Sequence, residues 1–357
     1  MLISCYTQLI MEQAASSGHR AKCLIIDAAE IRPSHDAGSR AILDISQVLS
    51  EIGFDVEFLW ENDSSFNDAL ASTEAKFVFV NRPSLFNRVY ARVNKRIKIV
   101  YLAHDLHTLR LERELSLSNR LSSASVRAMR LIEQVAFDKC TLALLPTKVE
   151  ADLVREVWGA KNVEQLNYFF FGPTELSEST GKKLVFVGGQ AHSPNADGVG
   201  WFITRILPSL QSSFPELDVL IVGSWLDDFV KSASVPGLKF TGSIDEDSLS
   251  KTLASSTLGI APLRFGAGVK RKVLDYLNHG LPVVSTSIGI EGMTDSGGPP
   301  PGVSIAESEQ DWISVISHLL ESTERRQILG SEGVKFIRAN YSKEIMADTL
   351  KKLLARI

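Results

Sequence analysis

The chain has 357 residues, which is long for a single core and fits two domains of roughly 150 to 180 residues each. Hydrophobic residues make up 44% and charged residues 22%, a balance that excludes a disordered or fibrous chain. The formal net charge of −4 lacks the basic excess of a general nucleic-acid binder, so no nucleic-acid partner is expected. The three cysteines are too few and too scattered for a disulfide framework or a cysteine metal cluster.

Targeting signals are not evident in the sequence. No apolar run approaches the ~20 residues that a membrane span requires. Residues 1–21, interpreted as an N-terminal extension, lack the basic start and apolar stretch of a secretory signal. The expected location is therefore the cytoplasm.

The first half of the chain alternates between short apolar runs and amphipathic stretches. Lys22–Asp27 predicts a buried strand, and apolar residues at helical spacing predict a helix over Ser39–Ile52 that ends at Gly53. Thr147 and Glu150 form a capping box that opens a helix through about Trp158. The alternation predicts a parallel sheet covered by helices, with further strands at Asp55–Trp60, Phe77–Val80, Lys98–Ala103 and Thr141–Leu145.

The second half repeats this alternation after a polar segment without helical or strand period, Gly172–Lys183, which we interpret as a linker. The predicted strands are Leu184–Val187, Asp218–Val222, Leu238–Thr241, Leu258–Ala261 and Pro282–Thr286. The predicted helices are Asp197–Gln211, Asp245–Ala254, Val269–His279 and Glu307–Leu320. Thr323–Ile357 predicts two helices separated near Asn340–Tyr341, and the last of them, residues 341–357, packs either on its own domain or across on the first.

Ala261–Gly292 is the most informative segment for chemistry. A predicted strand runs into a loop with Gly266 and Gly268, and the next helix begins with Lys270, Arg271 and Lys272. Glycines let a ligand approach the backbone, and the first N–H groups of a helix are free donors at its positive end. Cations at this end oppose the helix dipole, which favours a phosphate or diphosphate site over the alternative of a plain turn and a solvated face.

Three segments, in this order, carry a family resemblance. They are IKIVYLAHDLHTLRLERE (Ile97–Glu114), LVFVGGQAHSPNADGVGWFITRILPSLQSSFPELDVLIVGS (Leu184–Ser224) and FGAGVKRKVLDYLNHGLPVVSTSIGIEG (Phe265–Gly292). From about Lys22 onward the chain resembles the family-4-like glycosyltransferases, the glycosyl transferases group 1. The resemblance implies an α/β GT-B fold, with two Rossmann-like doubly wound domains facing across a cleft. An acceptor-side domain would occupy residues 22–175, and a nucleotide-sugar-binding domain residues 183–340.

The resemblance also implies roles for donor-site residues. The loop facing the diphosphate would contain Gly266, Ala267, Gly268 and Lys270; Gly188 and Gly189 would approach the sugar-phosphate, Gly223 the base, and Asp275 the ribose. Asp275 matches the second acid of the paired-glutamate motif of the family, whereas Ala267 stands at the position of the first. For Asp275 an i,i+4 or i,i+3 pair with Arg271 or Lys272 is the alternative.

In the first domain the resemblance points to two places. His104 matches an active-site histidine at the end of a predicted strand, and the adjacent Asp105 would orient it or contact the sugar. Gly38, Ser39 and Arg40 match a loop that faces the donor phosphate and the acceptor. His107 and Arg110 are second choices for the site.

No metal and no cofactor are expected besides the nucleotide-sugar co-substrate, with UDP or GDP as its nucleotide, because lysine, arginine and helix dipoles can neutralise the leaving diphosphate. A basic zone is either a solvated helix or a peripheral contact with the inner face of a membrane; it contains Arg82, Arg88, Arg92, Lys95, Arg96 and Lys98.

The resemblance implies transfer of a hexosyl group, with retention, from a nucleotide-sugar to a saccharide or lipid-linked acceptor, in glycan or cell-surface polysaccharide synthesis. Two alternatives share the architecture: a sugar-nucleotide epimerase, and a non-catalytic protein that binds a sugar nucleotide or a partner. A nicotinamide dehydrogenase is disfavoured because no GxGxxG follows the first strand of either domain.

Overall fold

The computed structural model describes residues 20–28, 30, 37–117, 121–178, 181–295 and 297–357. Almost all of the predicted N-terminal extension lies outside these residues, as do His35 and Asp36 before the first helix. The chain divides into two compact units. The first contains Ala37–Phe170 and Lys343–Ile357 together with the first strand, and the second contains Phe171–Ser342.

The first unit is built on a six-stranded parallel sheet. Its strands are β1 (Ala21–Asp27), β2 (Phe54–Trp60), β3 (Phe77–Asn81), β4 (Lys98–Leu102), β5 (Leu142–Leu145) and β6 (Val163–Gln165). The spatial order is β2-β1-β3-β4-β5-β6, so the winding direction reverses between β1 and β3. The central strands are buried on both faces, which explains why they read as continuous apolar runs.

The helices of this unit connect successive strands of the sheet. They are α1 (Ala37–Glu51), α2 (Phe66–Ser72), α3 (Pro83–Arg92), α4 (His107–Leu117), α5 (Ser123–Lys139) and α6 (Lys148–Glu156). Helix α6 begins where the sequence predicts, because the Thr147 hydroxyl accepts the backbone N–H of Glu150.

The second unit is also built on a six-stranded parallel sheet. Its strands are β7 (Lys183–Val187), β8 (Asp218–Val222), β9 (Leu238–Gly242), β10 (Leu258–Ala261), β11 (Val283–Ser285) and β12 (Val303–Ile305). The order β12-β11-β10-β7-β8-β9 places the reversal of winding between β7 and β10. The two parallel sheets confirm the predicted doubly wound α/β architecture.

The first helix of the second unit follows β7 and is interrupted: it consists of α7 (Ser193–Trp201), a π-helical segment (Phe202–Ile206) and α8 (Leu207–Ser213). The other helices are α9 (Asp227–Ser232), α10 (Glu246–Ala254), α11 (Arg271–Asn278), α12 (Ser287–Ile290), α13 (Glu309–Glu321) and α14 (Thr323–Asn340). The interrupted helix begins four residues before the predicted start at Asp197, at a turn that contains Pro194.

The final helix packs in the first unit, whereas the segment between the two sheets packs in the second. The final helix, α15 (Lys343–Leu354), packs on α1 in the first unit, where the Lys343 amine donates to the Glu51 carboxylate at 2.8 Å. The segment before β7 packs on the second unit, where Ser177 N donates to His279 O at 2.8 Å.

Candidate active site

The predicted glycines of the second unit lie in loops that follow neighbouring strands of its sheet. Strands β7 and β10 are neighbours, with Leu184 opposite Leu258 and Val185 opposite Gly259. Gly188 and Gly189 directly follow β7, and the loop over residues 262–270 directly follows β10. Ligands of open α/β sheets bind at the carboxyl ends of the strands where the winding reverses, so both predicted loops lie at the expected binding edge.

Glycines allow the loops after β7 and β8 to approach each other closely. Gly188 N donates to Val222 O at 2.8 Å, and a Cβ atom added to Gly223 would lie 2.7 Å from the Gly188 carbonyl. Trp225 fixes the same loop, because its indole N–H donates to Gly188 O at 2.9 Å. A side chain at Gly223 would therefore push the two loops apart.

The loop after β10 folds back toward its own backbone. Gly266 and Gly268 have φ values of 150° and 68°, which disfavour any residue with a side chain. The Lys270 side chain is 8% exposed, and its amine donates to Gly268 O at 2.7 Å. The amine of Lys270 and the glycine backbone thus form one local structure just before α11, with Ala267 half-buried between the glycines.

Asp275 makes the ion pair that the sequence offers as the alternative to ribose binding. Its carboxylate lies 3.2 Å from Arg271 Nε and 3.4 Å from Arg271 Nη2, and the guanidinium also packs over the Phe171 ring. The pair is partly buried on α11. Ribose binding by Asp275 stays a prediction.

Two site residues, Lys272 and Asn195, were not predicted to act together. Lys272 Nζ donates to Asn195 Oδ1 at 2.6 Å, and Asn195 Nδ2 donates to Gly189 O at 2.9 Å. Burial, followed by the charge of Lys270, lowers the pKa of Lys272 to about 7. The K-x-K spacing of Lys270 and Lys272 is visible in the sequence, but their approach to Asn195 depends on the tertiary fold.

Tyr276 contacts the two strands that precede the glycine loops, β7 and β10. Its hydroxyl accepts the backbone N–H of Val187 at 2.8 Å, and its ring packs against Gly259, where an added Cβ would lie 2.3 Å from the ring. The tyrosine therefore spans β7 and β10 where their own pairing ends.

In the first unit, His104 and Asp105 follow β4. The His104 ring packs edge-on against Tyr168 with a centroid distance of 5.6 Å, and the Asp105 carboxylate lies 3.1 Å from His107 Nε2 and 3.4 Å from Arg110 Nη1. The second-choice residues His107 and Arg110 thus gather around Asp105.

Two buried carboxylates accept hydrogen bonds from the backbone of residues 106–108, which follow Asp105. Glu133 accepts the backbone N–H groups of His107 and Thr108 at 2.8 and 3.0 Å, and Glu150 accepts that of Leu106 at 2.9 Å. Burial raises the pKa of Glu133. These carboxylates stabilise the start of α4, which fixes the position of the residues beside it.

Gly38, Ser39 and Arg40 lie in the first turn of α1, not in a loop before it, because α1 begins at Ala37. Arg40 Nε donates to the buried Asp44 carboxylate at 2.9 Å. At the reversal of winding between β1 and β3, Asp27 accepts from Asn81 Nδ2 and Arg82 Nε, both at 2.9 Å.

Neither a metal-binding cluster nor a membrane-spanning helix is found among the described residues. Within those ranges, no group of three or more histidine, cysteine or acidic side chains is placed to hold a metal ion. None of the described helices combines the length and apolar character needed to cross a bilayer.

Comparison with family models gives a match within the second unit. Residues 181–322, which lie in this unit, match the family model described as glycosyl transferases group 1. The match covers both loops of the candidate site.

Curated relatives match over part of their length. The chain is 24% identical over 226 residues to an uncharacterized 44.6 kDa protein in the cps region of Klebsiella pneumoniae, covering 61% of this chain and 56% of the relative. It is 26% identical over 163 residues to a GDP-mannose-dependent monoacylated alpha-(1-6)-phosphatidylinositol monomannoside mannosyltransferase of Corynebacterium glutamicum, covering 43% and 42%. The chain spans about half the length of these relatives.

Solved structures match over nearly the whole chain. Sucrose-phosphate synthase from Thermosynechococcus elongatus has a TM-score of 0.74 at 13% identity, covering 94% of this chain and 99% of that one. Anabaena Alr3699/HepE in complex with UDP and glucose has a TM-score of 0.70 at 15% identity, covering 95% and 100%. At such identities the likeness establishes the fold, which is the GT-B fold that the sequence resemblance implied.

Proposed function

We propose that this chain is a glycosyltransferase that transfers a hexosyl group from a nucleotide-sugar to a saccharide or lipid-linked acceptor, with retention. The main support is that the family-model match and the glycine loops of the candidate site occupy the same part of the chain. The match to the group 1 family model spans the sheet edge where Gly188 and Gly189 follow β7 and the Gly266–Lys270 loop follows the neighbouring β10. Fold and site chemistry therefore point to the same ligand, a nucleoside diphosphate.

The residues of this edge suit a departing diphosphate. Lys270 supplies positive charge, and α11 begins immediately after it with backbone N–H groups at the positive end of the helix dipole. Both stabilise the negative charge that develops on the nucleoside diphosphate as its bond to the sugar breaks. His104 and Asp105 of the first unit are proposed as sugar-contacting residues on the basis of their strand-end position and the sequence resemblance.

Two donors are favoured by the relatives. One relative is named as GDP-mannose-dependent, and one structural neighbour was solved with UDP and UDP-glucose. We therefore propose a UDP-sugar or a GDP-sugar as the donor. A role in polysaccharide synthesis is in keeping with the relative encoded in a cps region.

A ligand screen followed by a transfer assay tests this function. Thermal unfolding is measured with UDP, GDP, ADP, dTDP and their sugar derivatives; a bound ligand at a hundredfold excess over Kd stabilises the native state by about 2.7 kcal/mol. The Lys270→Ala variant should bind the active nucleotide about 10- to 100-fold more weakly, because a charged hydrogen bond is lost. Lys251→Ala, which removes an exposed lysine from α10, is the matched control and should bind normally.

The possible results separate the alternatives. Donor consumption that requires an acceptor supports transfer, whereas conversion of the donor without an acceptor indicates an epimerase. Binding without any turnover indicates a non-catalytic protein. No response to any nucleotide would contradict the proposed function.

A further inference from the structure

Lys272 is a partly buried cation that lacks an acidic partner in the described part of the chain. Its Nζ atom donates to the neutral Asn195 Oδ1 at 2.6 Å and lies 4.1 Å from the centre of the Phe186 ring. No aspartate or glutamate among the described residues lies within ion-pair distance of this amine. A cation removed from water without a counter-charge costs free energy, and an aromatic ring compensates only part of that cost.

The amine lies directly beneath the glycine loop after β7. A Cβ atom added to Gly188 would lie 2.9 Å from Lys272 Nζ and 2.6 Å from Asn195 Nδ2. The same asparagine holds Gly189 O at 2.9 Å, so one amide group connects the loop to the amine. The cation is therefore aimed at the binding edge of the sheet rather than at bulk solvent.

A second cation makes the arrangement more costly. The charge of Lys270 acts on Lys272, and together with burial, which is the larger cause, it lowers the pKa of Lys272 to about 7. Two amines near one glycine-rich edge repel each other, and an anion bound beside Lys272 would offset this repulsion. If Lys272 served only to fill space, an uncharged side chain of similar length would serve equally well.

We propose that Lys272 is a proton-coupled phosphate ligand, which takes up a proton when a nucleoside diphosphate binds and receives its counter-charge from the diphosphate. This inference rests on the proposed nucleotide-binding function and adds to it a specific role for Lys272 and a pH response. Asn195 acts as a positioning residue, because it holds the amine and the Gly189 carbonyl in fixed relation.

The sign of the pH response follows from linkage. The anion binds the protonated amine and raises its pKa in the complex, so binding takes up protons wherever the free amine is neutral. Affinity should be highest below the free-site pKa of about 7 and fall as the pH rises above it. The fall should approach tenfold per pH unit if one proton is taken up.

Isothermal titration calorimetry of the full chain with UDP and GDP tests the proposal between about pH 6 and pH 9. Measurements in buffers of different ionisation enthalpy give the number of protons taken up. The wild type should approach one proton above pH 7. This measurement needs no variant, so it stands even if a substitution impairs folding.

Three variants separate charge from packing. Lys272→Met keeps the length but should bind more weakly below pH 7 and lose both the proton uptake and the pH slope. Lys272→Arg stays protonated and should lose the slope while retaining more of the affinity at high pH. Lys251→Met is the matched control and should behave like the wild type. Titration of the nucleotide itself is common to all four proteins and cancels in the comparison.

The outcomes distinguish the two proposals. Equal affinity and equal pH slope in Lys272→Met and the wild type would overturn this inference while leaving nucleotide binding intact. Failure of the wild type to bind either nucleotide at any pH would contradict the proposed function and the inference together.

Discussion

The hydroxyl of Tyr276 stabilises the end of strand β7, directly before the glycines of the candidate site. Strands β7 and β10 pair at Leu184–Leu258 and Val185–Gly259, and further along β7 the Val187 N–H is satisfied by the tyrosine instead. The ring fits only because residue 259 is a glycine. Burial raises the pKa of Tyr276, so the hydroxyl stays protonated and neutral.

Tyr276→Phe should therefore destabilise the second unit. The Val187 N–H would lose its partner, which costs about 1–3 kcal/mol of unfolding free energy. Because Gly188 follows directly, nucleotide affinity should fall as well. Urea unfolding and calorimetry with UDP and GDP measure the two effects. Tyr90→Phe, a partly buried tyrosine of α3, is the control and should change the unfolding free energy by less than about 0.5 kcal/mol; equal losses in both variants would refute the role of Tyr276.

At single residues, the sequence predicts which glycine loops follow the central strands of the second sheet better than which side chains meet there. The glycines after β7 and β10 are recognisable because glycines at a strand end, followed by a basic helix start, are typical of phosphate-binding loops. The contact between Lys272 and Asn195 joins residues 77 positions apart, and nothing in local spacing specifies it. For Asp275 the sequence offers two partners, and the structure contains the pair with Arg271.

Among the helices, α7 shows why a glycine can be required inside a helix. Gly198 faces the loop after β10, and an added Cβ would lie 2.3 Å from Pro262 O. Gly200, in the same helix, has no atom within 4 Å of the added Cβ. The helix therefore approaches the loop after β10 closely at Gly198 and not at Gly200.

Alanine substitutions at these glycines should have opposite effects. Gly200→Ala should raise the unfolding free energy by about 0.5–1 kcal/mol, because alanine is the better helix former. Gly198→Ala should lower it by about 1–3 kcal/mol, because the backbone carbonyl of Pro262 must shift. Urea unfolding of the two variants measures the difference, and a gain in stability for Gly198→Ala would contradict the close approach.

Strands are predicted correctly from the sequence where burial on both faces requires a continuous run of apolar residues. Central parallel strands such as Phe77–Asn81 and Leu258–Ala261 are buried on both faces and read as apolar runs. The edge strands β6 and β12 have three residues each, too short to produce a pattern. The π-helical segment precedes Pro208, which lacks a backbone N–H and disturbs regular helix hydrogen bonding; apolar periodicity alone predicts only one continuous helix.

For the whole molecule, the sequence leaves open where the final helix packs. In the structure α15 belongs to the first unit, although α14, which precedes it by two residues, belongs to the second. The ion pair between Lys343 and Glu51 is solvent-exposed and contributes little. Burial of apolar side chains, including Leu350 and Leu353, therefore supplies most of the docking free energy.

This placement predicts where a cavity in α15 will loosen the molecule. Leu350 is fully buried, so Leu350→Ala should cost about 2–5 kcal/mol. Hydrogen exchange followed by mass spectrometry should then show faster exchange in peptides from α1 of the first unit, with peptides from α13 unchanged. Leu319→Ala, in the core of the second unit, is the matched variant and should produce the reverse pattern. Loosening of α13 by Leu350→Ala would show that the final helix stabilises the unit it follows in sequence, contrary to its packing on α1.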